Sequence, residues 1–592
     1  MKKIKNIFRK SLSAVLFSVA LLLTSCTDYL TIYPANDIIH ENFWQTADDV
    51  NGMLATSYLQ LLSKESIERM VIWGELRGDN ICVRKNNSQI AYKHIVEGNL
   101  QDDNEYCKWA VFYRAINYAN MVLEFAPLVP QRDPNFTQGD LDIVMGEMYA
   151  MRALAHFYLV RTFRDIPLSY KASLNDSELG EYPQVHPCVA LDSIMSDLDK
   201  ADALVMRTGG FPNSVNPDFN YSRITRDAVR AMKADVNLWR AAFATYYQGD
   251  DSLNVGNPDD YYRQVIACSD SVINSYVSRI SKFYKEHKVK IEAGPGTENP
   301  YYLSNNSISK VEPKRSSVYD NLFGSGKYFT SSTAISSRGE ILFELKFDET
   351  RNVNTAISEL YGNAKDKLGA MCVNRNYVRN TTDNIYKKSD LRVYSYTDIE
   401  NLGAENVNES GVPEDIGIAK YTYENSPAYN SLQRSKDNFD ANWVIYRLTD
   451  VMLMKAEALV HLSSAGSKEF GEAFKLVKTI NYRSLSSEAD SLRIANYPNK
   501  ESMAQLVLDE RVRELAFEGK RWYDLVRVAL RDKSTANILF VADKVEGASS
   551  AVRKKMQSIH TIFFPIAESE MNVNSLLVQN PAYETSSSIE QN

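Results

Sequence analysis

Residues 509–527 read DERVRELAFEGKRWYDLVR, a stretch crowded with charge around one Trp and one Tyr. Asp509, Glu510, Glu514, Glu518 and Asp524 face Arg511, Arg513, Lys520, Arg521 and Arg527, five acids against five bases, so the segment offers no net field to a polyanion. Nucleic acid is therefore the poorest reading of its partner. Leu508, Val512, Leu515 and Ala516, then Trp522, Leu525, Val526 and Ala529, recur at helical spacing on either side of Gly519, which suits a helix terminus. The pattern predicts helix, tight turn, helix. Glu510 with Arg513 and Asp524 with Arg527 stand three apart and brace their helices, each pair contributing about 0.2 to 0.5 kcal/mol on a solvated face. A structural hairpin accounts for the charges better than chemistry does.

Working outward, most of the first half carries the same 3.6-residue period. Leu141, Val144, Met145 and Met148 begin a helix that runs through MRALAHFYLVRTFRDIPL to a stop at Pro167. Further helices are predicted near Phe43–Leu62, Asn104–Phe125, Val189–Leu204, Ile224–Thr245 and Tyr261–Tyr276, and again at Ala441–Leu462, Lys468–Tyr482 and Met503–Leu530. Alanine-rich faces such as RDAVRAMKADVNLWRAAFATYY let paired helices approach closely, in the manner of tetratricopeptide repeats. Between Ser278 and Gly339 the composition turns to Ser, Asn, Gly, Pro and Lys, which signals long loops. Arg338–Phe347, RGEILFELKF, alternates like a strand. Trp109, Trp239, Trp443 and Trp522 fall on helical faces as core residues, and the tail ETSSSIEQN has no core to join.

The N-terminus addresses the chain for export. Lys2, Lys3, Lys5, Arg9 and Lys10 precede an apolar run from Leu12 to Leu23, the layout of a secretory leader. Twelve residues fall short of the roughly 20 needed to span a bilayer. Leu23-Thr24-Ser25-Cys26 resembles a bacterial lipobox, which implies cleavage before Cys26 and acylation there. Thr27, not Asp, follows, so the usual inner-membrane retention signal is missing and an outer-membrane destination is implied. Losing the leader moves the net charge from −8 to −13, an acidic body with attraction for anionic lipid only through its anchor. Five cysteines remain, Cys82, Cys107, Cys188, Cys268 and Cys372, an odd number without a CxxC; a hydrophobic core, not a disulfide framework, must hold the fold.

Catalytic and cofactor signatures are missing from the sequence. It contains no HExxH, no GxSxG and no GxxxxGK[ST], and its seven histidines are scattered without ligand spacing. No metal and no cofactor is therefore expected, and His156, within an apolar helix, reads as a core residue. Glycoside hydrolysis would need two carboxylates across a cleft, and nothing singles out a pair among 75 acids.

DYL after Cys26, FWQTADDV, MRALAHFYLVRTFRDIPL, VIYRLTDVMLMKAEAL, DERVRELAFEGKRWYDLVR and FFPIAESEMNVNSLLVQNPAY, taken together and in order, resemble the RagB/SusD family of Bacteroidetes from Cys26 to Tyr583. The resemblance implies a mostly α-helical fold, tetratricopeptide-like helix pairs in a single SusD-like domain with a loop-rich middle and few short strands. It implies a surface-facing outer-membrane lipoprotein that binds oligosaccharides without chemistry and serves a SusC-like TonB-dependent β-barrel transporter. The expected parts are a leader (1–25), a lipidated tether (26–40), an N-terminal helical part (41–277), a loop-rich part (278–440), a C-terminal helical part (441–583) and a tail (584–592). Three alternatives stay open: a peptide-binding member of the family, a helical-toroid glycoside hydrolase, and an adaptor with no small ligand.

Sugar capture needs flat aromatic rings and hydroxyl-binding polar groups on loops. Two stretches supply that mixture. Asp79–His94, DNICVRKNNSQIAYKH, lies where members of the resembled family often build a binding surface and offers Asn80, Arg84, Asn86, Asn87 and Tyr92. The loop-rich middle offers Tyr301, Tyr302, Tyr319, Phe323 and Tyr328, with Phe329 beside them.

Overall fold

The computed structural model describes residues 43–175, 180–212, 219–287 (less 251 and 254), 300–303, 319, 322–323, 339–364, 367–374, 385–398 (less 388), 416–424, 432–544 (less 436) and 549–583. The leader, Cys26, the tether, Tyr328, Phe329 and the tail lie outside them.

Helices dominate: α1 (Ala47–Leu62), α2 (Lys64–Val71), α3 (Ile90–Val96), α4 (Ala110–Phe125), α5 (Gln138–Phe163), α6 (Pro187–Leu204), α7 (Arg226–Tyr246), α8 (Pro258–His287), α9 (Thr355–Tyr361), α10 (Leu448–Leu462), α11 (Lys468–Arg483), α12 (Lys500–Leu515), α13 (Arg521–Arg531) and α14 (Ser549–Lys555). Local chemistry starts several of them. Thr46 and Asp49 cap α1 reciprocally, the Asp49 N–H donating to Thr46 Oγ1 at 3.3 Å while the Thr46 N–H donates back at 2.7 Å. Thr137 and Asp140 repeat the device on α5. Packing then runs in series, α4 on α5, α5 on α6, α6 on α7, α7 on α8, α8 on α10, and α10 on both α11 and α12, the expected helix-pair solenoid.

Helix α5 sits at the centre. Every one of its residues from Ala150 to Phe163 is buried, and its polar residues are paired: Arg152 holds Asp197 through two 2.8 Å bonds, and the Arg223 guanidinium and the Tyr58 hydroxyl both donate to Glu147. His156 is buried, accepts from the Ser169 N–H at 3.4 Å and is pushed by burial to about 3, a neutral core histidine. The helix ends at Phe163, before the proline expected to stop it. Arg164 takes a left-handed φ of 72°, and Ile166–Pro167 turns away as a strand.

Among the described residues, ten short strands form five antiparallel pairs: β1 (Ile81–Val83) with β7 (Met371–Val373), β2 (Ile166–Pro167) with β3 (Gln184–Val185), β4 (Ile341–Leu345) with β10 (Trp443–Arg447), β5 (Asn363–Ala364) with β6 (Lys367–Leu368), and β8 (Tyr423–Glu424) with β9 (Leu432–Gln433). Two expectations change here. Trp443–Arg447 is a strand, not the start of a helix, because WVIYR is a β-branched and aromatic run too short for periodicity to classify. Every residue of β4 is buried, so the alternation in RGEILFELKF separates two covered faces, with Glu344 accepting from Asn442 Nδ2 at 2.9 Å. Helix α8 also crosses the boundary expected at 277/278 and continues to His287.

The charged hairpin of residues 509–527 is α12, a turn and α13, and its charges are buried. Glu514 lies among Arg447 (2.7 Å), Arg483 (2.6 Å) and Arg392 (2.9 Å), and Glu518 takes a second bond from Arg447 and one from Lys420 at 2.5 Å. Burial pushes the Glu514 carboxyl up, but the three guanidinium groups outweigh it and hold the group well below the carboxylate range. Asp524 joins Arg511 at 2.8 Å and Arg527 at 2.9 Å. The two pairs expected from spacing, Glu510–Arg513 and Asp524–Arg527, exist, yet they belong to a desolvated network where loss of one partner strands a buried charge.

Candidate functional site

The hairpin is also the mount for the Asp79–His94 stretch. After α2 the chain makes a π-helical turn, Ile72–Leu76, which brings Glu75 under the α12–α13 turn. The Glu75 carboxylate accepts N–H groups of Phe517 (2.7 Å), Lys520 (3.0 Å) and Arg521 (3.4 Å), and Nδ2 of Asn80 at 2.5 Å. Burial raises its carboxyl against those donors. Asp79 is clamped by Arg521 through bonds of 2.7 and 2.6 Å. From this base β1 rises against β7, and Arg84 fixes the far end by donating to Gly369 O and Asn363 Oδ1, both at 3.0 Å.

Between Arg84 and α3 the chain turns outward. Lys85, Asn86, Ser88 and Gln89 are exposed and Asn87 is half-buried, with the Asn87 N–H donating to Arg84 O and its Oδ1 accepting from the Gln89 N–H at 2.9 Å. Ile90 is 63% exposed, and Leu368 on the neighbouring β5–β6 hairpin is 50% exposed. The result is a polar turn with two apolar side chains nearby, held at its root by the hydrogen bonds of buried Glu75 and Arg84 and by the Asp79–Arg521 ion pair. Its exposed amides offer donors and acceptors that suit the hydroxyls of a neutral ligand.

The structure divides the sequence-proposed residues. Asn86 and Asn87 are on the outward turn. Asn80, Arg84 and Tyr92 are buried and structural: Asn80 is spent on Glu75, Arg84 on the β5–β6 hairpin, and the Tyr92 ring stacks on Tyr106 with centroids 5.4 Å apart. Burial pushes the Tyr92 phenol up to about 12. Tyr319 and Phe323 are likewise core residues, because both rings pack on Tyr396 and the Tyr319 hydroxyl reaches Ser484 at 2.5 Å and Glu514 at 3.2 Å. Tyr301 and Tyr302 are half-buried, and Tyr302 O accepts from the Tyr276 hydroxyl of α8 at 3.1 Å. Tyr328 is outside the described residues.

Sequence reasoning missed the supports, Asn363, Gly369, Asn374 and Arg521, which lie hundreds of residues from the turn they hold. Asn374 donates its N–H to Asn80 O at 2.9 Å and Nδ2 to Asp79 O at 2.8 Å. A cavity of about 370 Å³ lies elsewhere, between α10, α12 and α13, and is lined by Glu457, His461, Lys500, Arg527 and Arg531 among others. Its charges answer one another, Glu457 taking Arg527 at 2.8 Å and Arg531 at 2.9 Å. Among the described residues, no group of three His, Cys, Asp or Glu could hold a metal, and no helix is long and apolar enough to cross a membrane.

The SusD family model matches residues 281–583, and a second model, described as "Starch-binding associating with outer membrane", matches residues 28–238. The chain belongs to the SusD family. SusD-like protein P38 of Formosa agariphila is 27% identical over 536 residues, covering 89% of this chain and 92% of the relative. Among solved SusD-family structures, a laminarin binding SusD-like protein is similar at a TM-score of 0.59 with 17% identity, covering 91% of this chain and 100% of that one. A SusD homolog from Bacteroides thetaiotaomicron VPI-5482 aligns at a TM-score of 0.65 with 16% identity over 92% of this chain and 98% of that one. At these identities the likeness to the solved SusD structures is one of fold.

Proposed function

We propose that this SusD-family chain is an outer-membrane lipoprotein, anchored through Cys26 and facing the cell surface, that binds oligosaccharides and hands them to a TonB-dependent β-barrel transporter. The observation that carries the reading is the exposed turn of Lys85–Gln89, amide-rich, uncharged but for one lysine, and set on a rigid base. Family membership and the laminarin-binding neighbour support a glycan as the cargo. Asn86 and Asn87 would bond the hydroxyls; Tyr301 and Tyr302, half-buried and with Tyr302 held to Tyr276 of α8, and Tyr328, outside the described residues, stay proposed as rings for a sugar face. Binding without turnover is expected, since the Lys85–Gln89 turn carries no carboxylate to act as an acid or base.

The test is a binding panel. The purified protein is titrated with starch and laminarin oligosaccharides and with mixed peptides, and products are sought after long incubation. Saturable sugar binding with no product supports the proposal. Peptide binding alone, or release of reducing ends, overturns it. Extraction in mild detergent should return the chain with one large β-barrel protein, and its repeated recovery alone would refute the partnership.

A further inference from the structure

Strands β1 and β7 place two cysteines opposite each other. In the register Ile81↔Val373, Cys82↔Cys372, Val83↔Met371, the pair occupies the central position. The Arg84 N–H donates to Ala370 O at 2.9 Å and the Asn374 N–H donates to Asn80 O at 2.9 Å, two residues to either side. Alternation along an antiparallel ladder therefore makes Cys82 and Cys372 a hydrogen-bonded pair, whose Cα atoms sit about 5.5 Å apart, within the span that a disulfide bridges. Both side chains leave the same face of the ladder. Their sulfurs are already 3.2 Å apart, close enough for one thiol to donate to the other.

We propose that Cys82 and Cys372 are a disulfide-forming pair that clamps the β1–β7 ladder beneath the Lys85–Gln89 turn. The two residues are 290 apart in sequence, so the bond would close a very long loop. It would tie the N-terminal segment carrying the turn to the part of the chain that supports it. Cys82 is half-buried and Cys372 buried, so Cys82 reacts first. Its thiolate attacks the sulfur–sulfur bond of a small disulfide such as oxidised glutathione, forming a mixed disulfide and releasing one glutathione thiolate. The Cys372 thiolate then attacks the Cys82 sulfur and expels the second glutathione. Two protein thiols lose two protons and two electrons, and the glutathione disulfide gains them as two thiols.

The other cysteines do not compete. Cys107 is buried in the turn at Glu105–Cys107 and its thiol donates to Gln101 O at 3.3 Å, Cys188 lies in the first turn of α6, and Cys268 is in the middle of α8. Burial raises all three thiols, that of Cys188 to about 12.

The full chain, reduced, freed of reductant and equilibrated with oxidised and reduced glutathione, is alkylated and digested without reductant. This needs no export and stands apart from the proposed cargo. Peptide mapping should find one linked pair joining Cys82 to Cys372, lost on reduction, with Cys107, Cys188 and Cys268 alkylated. The oxidised form should also unfold at higher urea than the reduced form, and a Cys82→Ser/Cys372→Ser double variant should show no such difference. Alkylation of both cysteines, or separate glutathione adducts on each, overturns the pairing. An unchanged urea midpoint in the linked protein overturns the clamp.

Discussion

Gly74 and Gly519 meet backbone to backbone: a Cβ placed on Gly74 would lie 1.8 Å from Gly519 O. Gly519 itself has a φ of 70° and would carry its own Cβ to 2.7 Å from Met70 O. Neither position tolerates a side chain, and the contact joins the π-helical turn to the α12–α13 turn. Gly74→Ala should destabilise by about 3 kcal/mol, the upper end of what overpacking costs. Gly471→Ala, on α11 with nothing near its Cβ, should instead stabilise by about 0.5 to 1 kcal/mol. Urea unfolding of the two variants separates these outcomes, and equal behaviour would contradict the contact.

Trp522 is fully buried, donates Nε1–H to Ile562 O at 3.2 Å and has the Arg77 guanidinium 4.1 Å from its ring centroid. Trp522→Ala should cost about 3 to 5 kcal/mol, the usual penalty for truncating a core aromatic. Ligand binding by whatever fraction stays folded should be normal. A well-folded variant that has lost only binding would turn this ring into a site residue.

The turn and its root should separate by mutation. Asn86→Ala and Asn87→Ala should weaken oligosaccharide binding several-fold at an unchanged thermal midpoint. Asn80→Ala, which removes the 2.5 Å bond to buried Glu75, should lower stability by about 1 to 3 kcal/mol. Calorimetric titration beside thermal melts reads both effects. Full-affinity Asn86 and Asn87 variants would move the site elsewhere.

Acid should act through carboxylates such as Asp450, which holds Lys520 at 2.7 Å and Arg511 at 3.0 Å. Burial pushes its carboxyl up, but the two cations prevail and bring it from 3.8 to about 2. The folded group therefore gives up its proton more readily than the unfolded one, so its contribution is complete above about pH 3.8 and drains away as the pH falls towards 2. Asp450→Asn should be less stable at neutral pH and show a shallower loss across that window. An unchanged slope in pH-dependent unfolding would show that the pair is not linked to protons.

The helices were legible because their signals are local. Caps such as Thr46 with Asp49 and periodic apolar residues lie within a few positions of one another, and the order of motif blocks pointed to the family that the SusD model then matched. WVIYR was misread because five buried residues carry no period. The site was legible only as a neighbourhood. Exposure of a residue such as Tyr319 or Arg84 depends on partners like Glu514 or Asn363, and nothing in adjacent sequence states that those partners exist. Asn86 differs from Asn80 in burial, not in type.

Membership of the Glu75 root has a cost in time. The acceptor emerges from the ribosome early, while its donors at Phe517, Lys520 and Arg521 follow more than 440 residues later; the carbonyls of Thr561 and Ile562 that receive Arg77 come later still. At about 5 to 20 residues per second, synthesis leaves these groups unanswered for roughly 20 to 90 seconds. The N-terminal part is thus obliged to wait, unfinished, for the last eighth or so of the chain. A purified fragment ending before Phe517 should remain protease-sensitive, and native resistance should need the complete chain.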